Sequence, residues 1–352
     1  MGRALSEHAP NFDYKSFVAL APELEGLELK ARVHFVRDEL QKRLPQDFST
    51  ALNILLRSLE SKTLKGFDLW PYTEFVQSYG LHEPEASLLA LYKMTQLFTG
   101  EFAVRPFLRL HQKRTLTFLK TCASDTNVHV RRWVSEGSRP RLPWGERLDI
   151  FIKDPLATLP LLEKLKYDSE LYVRKSVANH LNDISKDHPG LVIDLLTKWQ
   201  RASDSSKTKK QNIQWITRHA LRSLIKNADA GALKLMGAEP NSKITCSKFK
   251  LNKKFFKMNE RIEFSFFLES RSKKSQKLII DYIVHHVKSS GATSPKVFKL
   301  KTLTLNPGSK IIIKKNHSLK PITTRRYYAG THSLEIQING KIYAKTKWEL
   351  RN

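Results

Sequence analysis

Three segments of this chain align at a spacing of 43 residues, with an apolar β-branched residue at the same phase in each: Val130, Val173 and Ile216. The first segment runs from Asp125 to Val134, the second from Asp168 to Val177, and the third from Ile216 to Ala220. A repeat of about 40–47 residues is the signature of one helix pair. Neither helix of a pair can bury its apolar stripe alone, so the repeats must stack into a solenoid, which leaves a concave face of equivalent second helices. Asp125 and Asp168 stand five residues before the phase-marking valine, where a carboxylate can cap a helix. Arg131, Arg132, Arg174, Lys175 and Arg218 follow it at related positions. For each of these alone, a solvated charged face is the plain reading. Recurrence over three repeats favours a cationic groove, which holds phosphates without reading sequence.

The texture changes near Gly237-Ala238-Glu239-Pro240. Before it, apolar residues recur at three and four, as in Leu52, Leu55, Leu56 and Leu59. After it, segments alternate: Ile262 to Phe266, Lys299 to Leu305, Ser333 to Ile338. Asn306-Pro307-Gly308 and Asn339-Gly340 are turn signals between such runs. Six or seven short strands in about 110 residues predict a β-sandwich of immunoglobulin-like size. The two cysteine-bearing strands of true immunoglobulin domains are absent, so that label is architectural. The expected fold is therefore mainly α: a HEAT-like α-solenoid over 1–238, followed by a smaller all-β immunoglobulin-like sandwich over 239–352.

Charge is split unevenly between these parts. The whole chain of 352 residues carries +27. Residues 241–352 hold 25 Lys+Arg against 6 Asp+Glu, leaving only +8 for residues 1–240. Such a field favours a polyanionic partner, nucleic acid first. The basic pairs Lys314-Lys315 and Arg325-Arg326 are expected on turns that could meet it. A hydrophobic share of 40% excludes a disordered basic tail as the whole chain. Two distant cysteines, Cys122 and Cys246, exclude a disulfide framework. No apolar run approaches membrane-spanning length, and the first twenty residues lack a signal-peptide pattern. HExxH, CxxC, Walker A, GxGxxG and GxSxG patterns are all missing, so no metal, nucleotide or cofactor is expected.

The stretch Val130 to Gly145 breaks the repeat. Its helix should stop near Gly137, because glycine and the following Pro140 both end helices. Glu136 then lies at a helix C-terminus, where the dipole disfavours a carboxylate. Arg132, one turn earlier, can pair with it. An ordinary surface salt bridge is the plain account, and a carboxylate held in a basic groove is the sharper one. Pro140 and Pro143 stiffen a loop ending at Trp144-Gly145. Its tryptophan either packs or stacks against a nucleotide. Glu101 and Asp183, each readable as a cap or a solvated residue, are the other carboxylates to weigh.

The run Arg131 to Trp144, together with Val173-Arg-Lys-Ser-Val-Ala-Asn-His-Leu-Asn-Asp183, resembles the AlkC branch of the AlkC/AlkD DNA alkylation repair glycosylases, and the likeness extends over nearly the whole chain. The resemblance implies a monofunctional DNA glycosylase that excises cationic bases such as 3-methyladenine and 3-methylcytosine from duplex DNA without flipping the base. It implies Glu136 as the principal catalytic carboxylate, Glu101 and Asp183 completing an acidic cluster, and Trp144 flanking the damaged nucleotide. Arg132, Arg139, Arg141 and Arg174 are then expected at the DNA, with Arg131, Lys175 and Arg218 along the groove. No lysine lies between Glu136 and Trp144, so no Schiff-base lyase step is expected. A monomeric, cytoplasmic, nucleoid-associated bacterial protein follows as an expectation. The competing readings are a non-catalytic HEAT-repeat nucleic-acid scaffold and a solenoid that binds an acidic protein.

Overall fold

The computed structural model describes residues 1–351 other than 62, 205 and 324. Among the described residues, α-helices occur from Gly2–Ser6 to Ala230–Leu235, and β-strands follow from Ile244–Leu251 to Lys341–Leu350. The chain is thus mainly α, with a helical half followed by a β-sandwich, as its two textures predict.

The repeat lies on three helices, Val128–Gly137, Leu171–Ile184 and Lys207–Ala220, with the second packed between the other two. Val130, Val173 and Ile216 are all fully buried, so the phase that aligns the segments is the phase that faces the core. Asp125 and Asp168 do not cap these helices as expected. Asn127 caps the first, accepting from the His129 and Val130 amides. The second has no side-chain cap. Each aspartate instead accepts the amide two residues on, Asn127 at 2.7 Å and Glu170 at 2.9 Å. A helix start needs its own side chain one position before the first turn, and the aspartates sit too far upstream.

A second recurrence accompanies this turn. Arg131 donates to the carbonyls of Asp125 and Thr126 at 3.0 and 2.9 Å. Arg174 donates to the equivalent carbonyls of Asp168 and Ser169 at 2.6 and 2.7 Å. The arginine one residue after the buried valine closes the turn that precedes its own helix.

The C-terminal strands are β1 (Ile244–Leu251), β2 (Phe255–Phe256), β3 (Arg261–Ser270), β4 (Gln276–Val287), β5 (Thr293–Leu305), β6 (Lys310–Ser318), β7 (Gly330–Ile338) and β8 (Lys341–Leu350). They form one sheet ordered β1-β3-β6 and another ordered β2-β8-β7-β4-β5. Alternate residues such as Phe264, Phe266, Ile280, Val284, Leu334 and Ile336 meet in the core between them. Among the described residues these are eight strands where six or seven were expected, the short β2 carrying too little alternation to register. Lys314 and Lys315 are not on a turn: they lie within β6, paired with Ser265 and Phe264. Arg325 and Arg326 do lie between strands, after β6.

Two compact units divide the chain, one of residues 1–188 and 198–220, the other of 189–197 and 221–352. The second unit therefore includes helices as well as the sandwich. Leu233 and Ala238 pack against Ile279 of β4. The β7–β8 turn holds that base in place. Asn339 and Gly340 both have positive φ, at 46° and 82°, as a tight hairpin turn of this kind requires. Buried Asn339 donates to the Glu239 and Lys277 carbonyls and to Ser242 Oγ, and accepts from the Ile279 amide at 2.7 Å.

Candidate active site

Glu136 lies in the last turn of the Val128–Gly137 helix, and only 6% of it is exposed. Arg139 Nη1 donates to Oε1 at 2.7 Å, and Arg132 Nη2 stands 3.5 Å from the same oxygen. Ser176 Oγ, on the neighbouring repeat helix, donates to Oε2 at 2.6 Å. Glu101 sits before the Arg105–Leu110 helix. It accepts from the Thr99 hydroxyl and from both terminal nitrogens of Arg132. Asp183, near the end of the Leu171–Ile184 helix, accepts from Arg139 Nε at 2.8 Å and from Lys186 at 3.1 Å.

The result is an alternating chain of charges: Glu101, Arg132, Glu136, Arg139, Asp183. Three carboxylates from three separate segments share two arginines. Burial pulls both guanidinium groups down, but the adjoining carboxylates outweigh it and hold them above the ordinary arginine value. Tyr172 lies against Arg132, its ring centroid 5.2 Å from the guanidinium carbon. Burial also pushes the Tyr172 hydroxyl up, and Arg132 lowers it in part.

Trp144 stands apart from this buried network. It is 76% exposed, at φ 66°, on the loop that leaves the Glu136 helix. Trp133 and Trp199, by contrast, are fully buried. An exposed indole held in a left-handed backbone conformation is an unusual expense for a folded chain unless the ring meets something outside it.

The Pseudomonas fluorescens alkylpurine DNA glycosylase AlkC, solved bound to DNA containing an abasic-site analog, is similar to this chain at 38% identity and a TM-score of 0.91. The match covers 100% of this chain and 96% of that one. The uncharacterized protein YhaZ of Bacillus subtilis is 39% identical over 316 residues, 90% of this chain and 85% of its own length. The chain belongs to the AlkC family. Residues 245–352 match the family model described as the C-terminal Ig-like domain of the uncharacterised protein YhaZ.

Within this AlkC-family chain, the expected basic residues fall into two groups. Arg131 pairs bidentately with Asp168 of the next repeat, at 2.7 and 3.1 Å. Arg141 pairs with Asp187, Arg174 is bound to backbone carbonyls, and Arg132 and Arg139 belong to the acidic cluster. Lys175 and Arg218 are exposed, and no partner is found for either among the described residues. They occupy the position two residues after the buried valine or isoleucine, which Arg132 occupies in the first repeat.

Ser176, Thr99 and Tyr172 were not anticipated from sequence. Ser176 had one legible signal: it stands three residues after Val173, where the first repeat has buried Trp133 after Val130. A small hydroxyl in place of a core aromatic marks a point where the repeat yields to a site. No cluster of metal-ligating side chains is found among the described residues, and none of the described helices is long and apolar enough to cross a membrane.

Proposed function

We propose that this chain is a monofunctional DNA glycosylase that hydrolyses the N-glycosidic bond of cationic N3-methylated bases, 3-methyladenine and 3-methylcytosine, in duplex DNA. The observation that carries it is the Glu136 carboxylate, hydrogen-bonded by Arg139 on one oxygen and by Ser176 on the other, in a family of which AlkC has been solved bound to DNA containing an abasic-site analog.

The chemistry follows from charge. An N3-methylated base is cationic and departs as a neutral molecule, so the leaving group needs no protonation. Neither a general acid nor a pocket for a flipped base is required. The sugar left behind develops positive charge at C1′, and a fixed carboxylate stabilises it and orients the attacking water. Glycoside hydrolysis relies on the same electrostatics. A carboxylate offers about four acceptor positions. Arg139 and Arg132 share Oε1, and Ser176 occupies one position on Oε2. Oε2 retains a lone pair for water. Glu101 and Asp183 hold the two arginines from behind, so neither guanidinium can swing wholly onto Glu136 and neutralise it. Exposed Trp144 supplies a flat face to set against the lesion nucleotide, with Lys175 and Arg218 on phosphates.

The test is release of free base from methylated duplex DNA. Wild type should release 3-methyladenine, and Glu136→Gln should lose release by roughly 100- to 1,000-fold, by analogy with removing one preorganised charge-stabilising group. DNA binding should be retained. Salt-sensitive binding with no release from wild type would instead identify a non-catalytic scaffold.

A further inference from the structure

Arg105 is fully buried, yet no carboxylate among the described residues forms an ion pair with it. Burial lowers its guanidinium to about 10, so it remains a cation at neutral pH. An arginine taken out of water without a paired anion is costly, and hydrogen bonds from Nε and Nη1 offset part of that cost, while buried Nη2 finds no partner among the described residues. Among the described residues, its three hydrogen bonds all go to residues 137–146, the segment that runs from Glu136 past Trp144. Nη1 donates to the Gly137 and Arg139 carbonyls, each at 2.8 Å, and Nε donates to the Glu146 carbonyl at 2.7 Å.

The placement answers two local problems. Gly137 offers a carbonyl left over at the end of the Val128–Gly137 helix, the negative end of its dipole, and Arg139 offers one just beyond the helix cap; a cation complements both. The loop from 138 to 147 has no regular secondary structure of its own, and its inner side is filled by this guanidinium. The two glycines of the segment fit that approach. A Cβ on Gly145 would stand 3.3 Å from Arg105 Nε, and one on Gly137 would stand 2.5 Å from Val104 Cγ1. Val104 is the residue beside Arg105, so the start of the Arg105–Leu110 helix is pressed into the loop at both ends.

What the loop carries gives the contact its meaning. Arg139, whose carbonyl is gripped, extends its side chain to both Glu136 and Asp183. Trp144 lies between two of the anchored carbonyls in sequence. Resting on the glycosylase reading above, we propose that Arg105 is a positioning residue for base excision: its guanidinium fork fixes the loop so that Arg139 and Trp144 keep their places relative to Glu136. Lysine cannot replace it, because a single ammonium on a flexible stem cannot span three carbonyls in a fixed plane.

The experiment uses the full chain with Arg105→Lys and Arg105→Met. Hydrogen exchange at 138–147 should quicken at least tenfold in both, with the three repeat helices unchanged. Single-turnover excision of 3-methyladenine should fall about 100-fold, while the Kd for an abasic-site duplex changes less than fivefold. Placed in an Arg139→Ala/Trp144→Phe background, Arg105→Lys should cost less than a further threefold, since it acts through those two residues. Multiplicative losses, or unchanged loop exchange, would overturn the proposal. Should Arg105→Met fail to fold, Arg105→Lys gives the same comparison. Should wild type release no base, the glycosylase reading fails, and faster loop exchange would still show Arg105 as the anchor of the loop while unchanged exchange would refute it.

Discussion

Ser176 donates its hydroxyl to Glu136 Oε2 at 2.6 Å, linking two adjacent repeats at the carboxylate itself. A hydrogen bond to a charged group is worth about 1.5–3 kcal/mol, and this one orients the oxygen that retains a free lone pair. Ser176→Ala should therefore slow base excision by roughly 10- to 100-fold. DNA affinity should change little, because the hydroxyl touches no exposed surface. Single-turnover excision measured beside the Kd for abasic duplex checks the split, and an equal loss in both would remove the orienting role. Ser176→Thr keeps the hydroxyl and should recover most of the rate.

The basic residues should separate by experiment as they do in the fold. Lys175→Ala and Arg218→Ala should each lessen the slope of log K against log salt by about 0.9, the value of one phosphate contact on B-form DNA. Arg131→Ala should leave that slope unchanged and lower stability instead. It would strand Asp168 and open the seam between two repeats, at a cost of about 3 kcal/mol for a largely buried pair. Binding titrations over a salt series and thermal unfolding of the same variants make the comparison. A reduced salt slope in Arg131→Ala would return that residue to the DNA.

The division of labour between these residues shows where sequence is readable and where it stops. Period and phase were legible, because burial of Val130, Val173 and Ile216 is imposed by stacking and repeats with it. The end of the Glu136 helix was legible from Gly137 and Pro140. Glu136, too, was visible as a residue out of place, whereas Glu101 and Asp183 read as caps or solvated residues and only the family resemblance singled them out. Which arginine faces inward was not legible. Arg131 and Arg132 are adjacent, about 100° apart around a helix, and only the neighbouring turn decides that one staples and the other joins the site. Ser176 belongs to a different repeat from Glu136, and no local pattern records a contact across 40 residues. The helices at 222–226 and 230–235 fall within the stretch expected as solenoid, 1–238, yet they belong with the sandwich, a tertiary choice made by Leu233, Ala238 and Asn339.

Trp144 offers a spectroscopic prediction. The other tryptophans at positions 70, 133, 199 and 348 are buried, so iodide should quench mainly Trp144 and the half-buried Trp215. Adding abasic duplex should protect a component that Trp144→Phe lacks. The same variant should slow excision by about 10-fold or more if the indole stacks on the nucleotide, given roughly 1–3 kcal/mol per stacked base. Protection that persists in Trp144→Phe would assign the signal to Trp215 and leave the loop indole without a role in binding.

Acid should weaken the β-sandwich, as it should the helical unit, where burial likewise pushes His180 down to about 3. Burial, reinforced by the charge of Arg325, pushes His286 down to about 3 and His317 down to about 4. In the unfolded chain both titrate near 6.5. Between those values the unfolded state binds protons that the folded state refuses, so stability present at pH 7 is lost as pH falls through 6.5 towards 4. Each imidazole removes about 2 kcal/mol by pH 5. Asp281 opposes them: burial raises its carboxyl to about 6, so the folded state takes up this proton first and gains on acidification. One carboxyl offsets only part of the loss from two imidazoles. Hydrogen exchange of the β4 and β6 amides at pH 7 and pH 5, each corrected for intrinsic rate, should show weaker protection at pH 5. His317→Phe should flatten that difference and Asp281→Asn should steepen it. Equal protection at the two pH values in wild type would mean that these imidazoles accept protons without unfolding the sandwich.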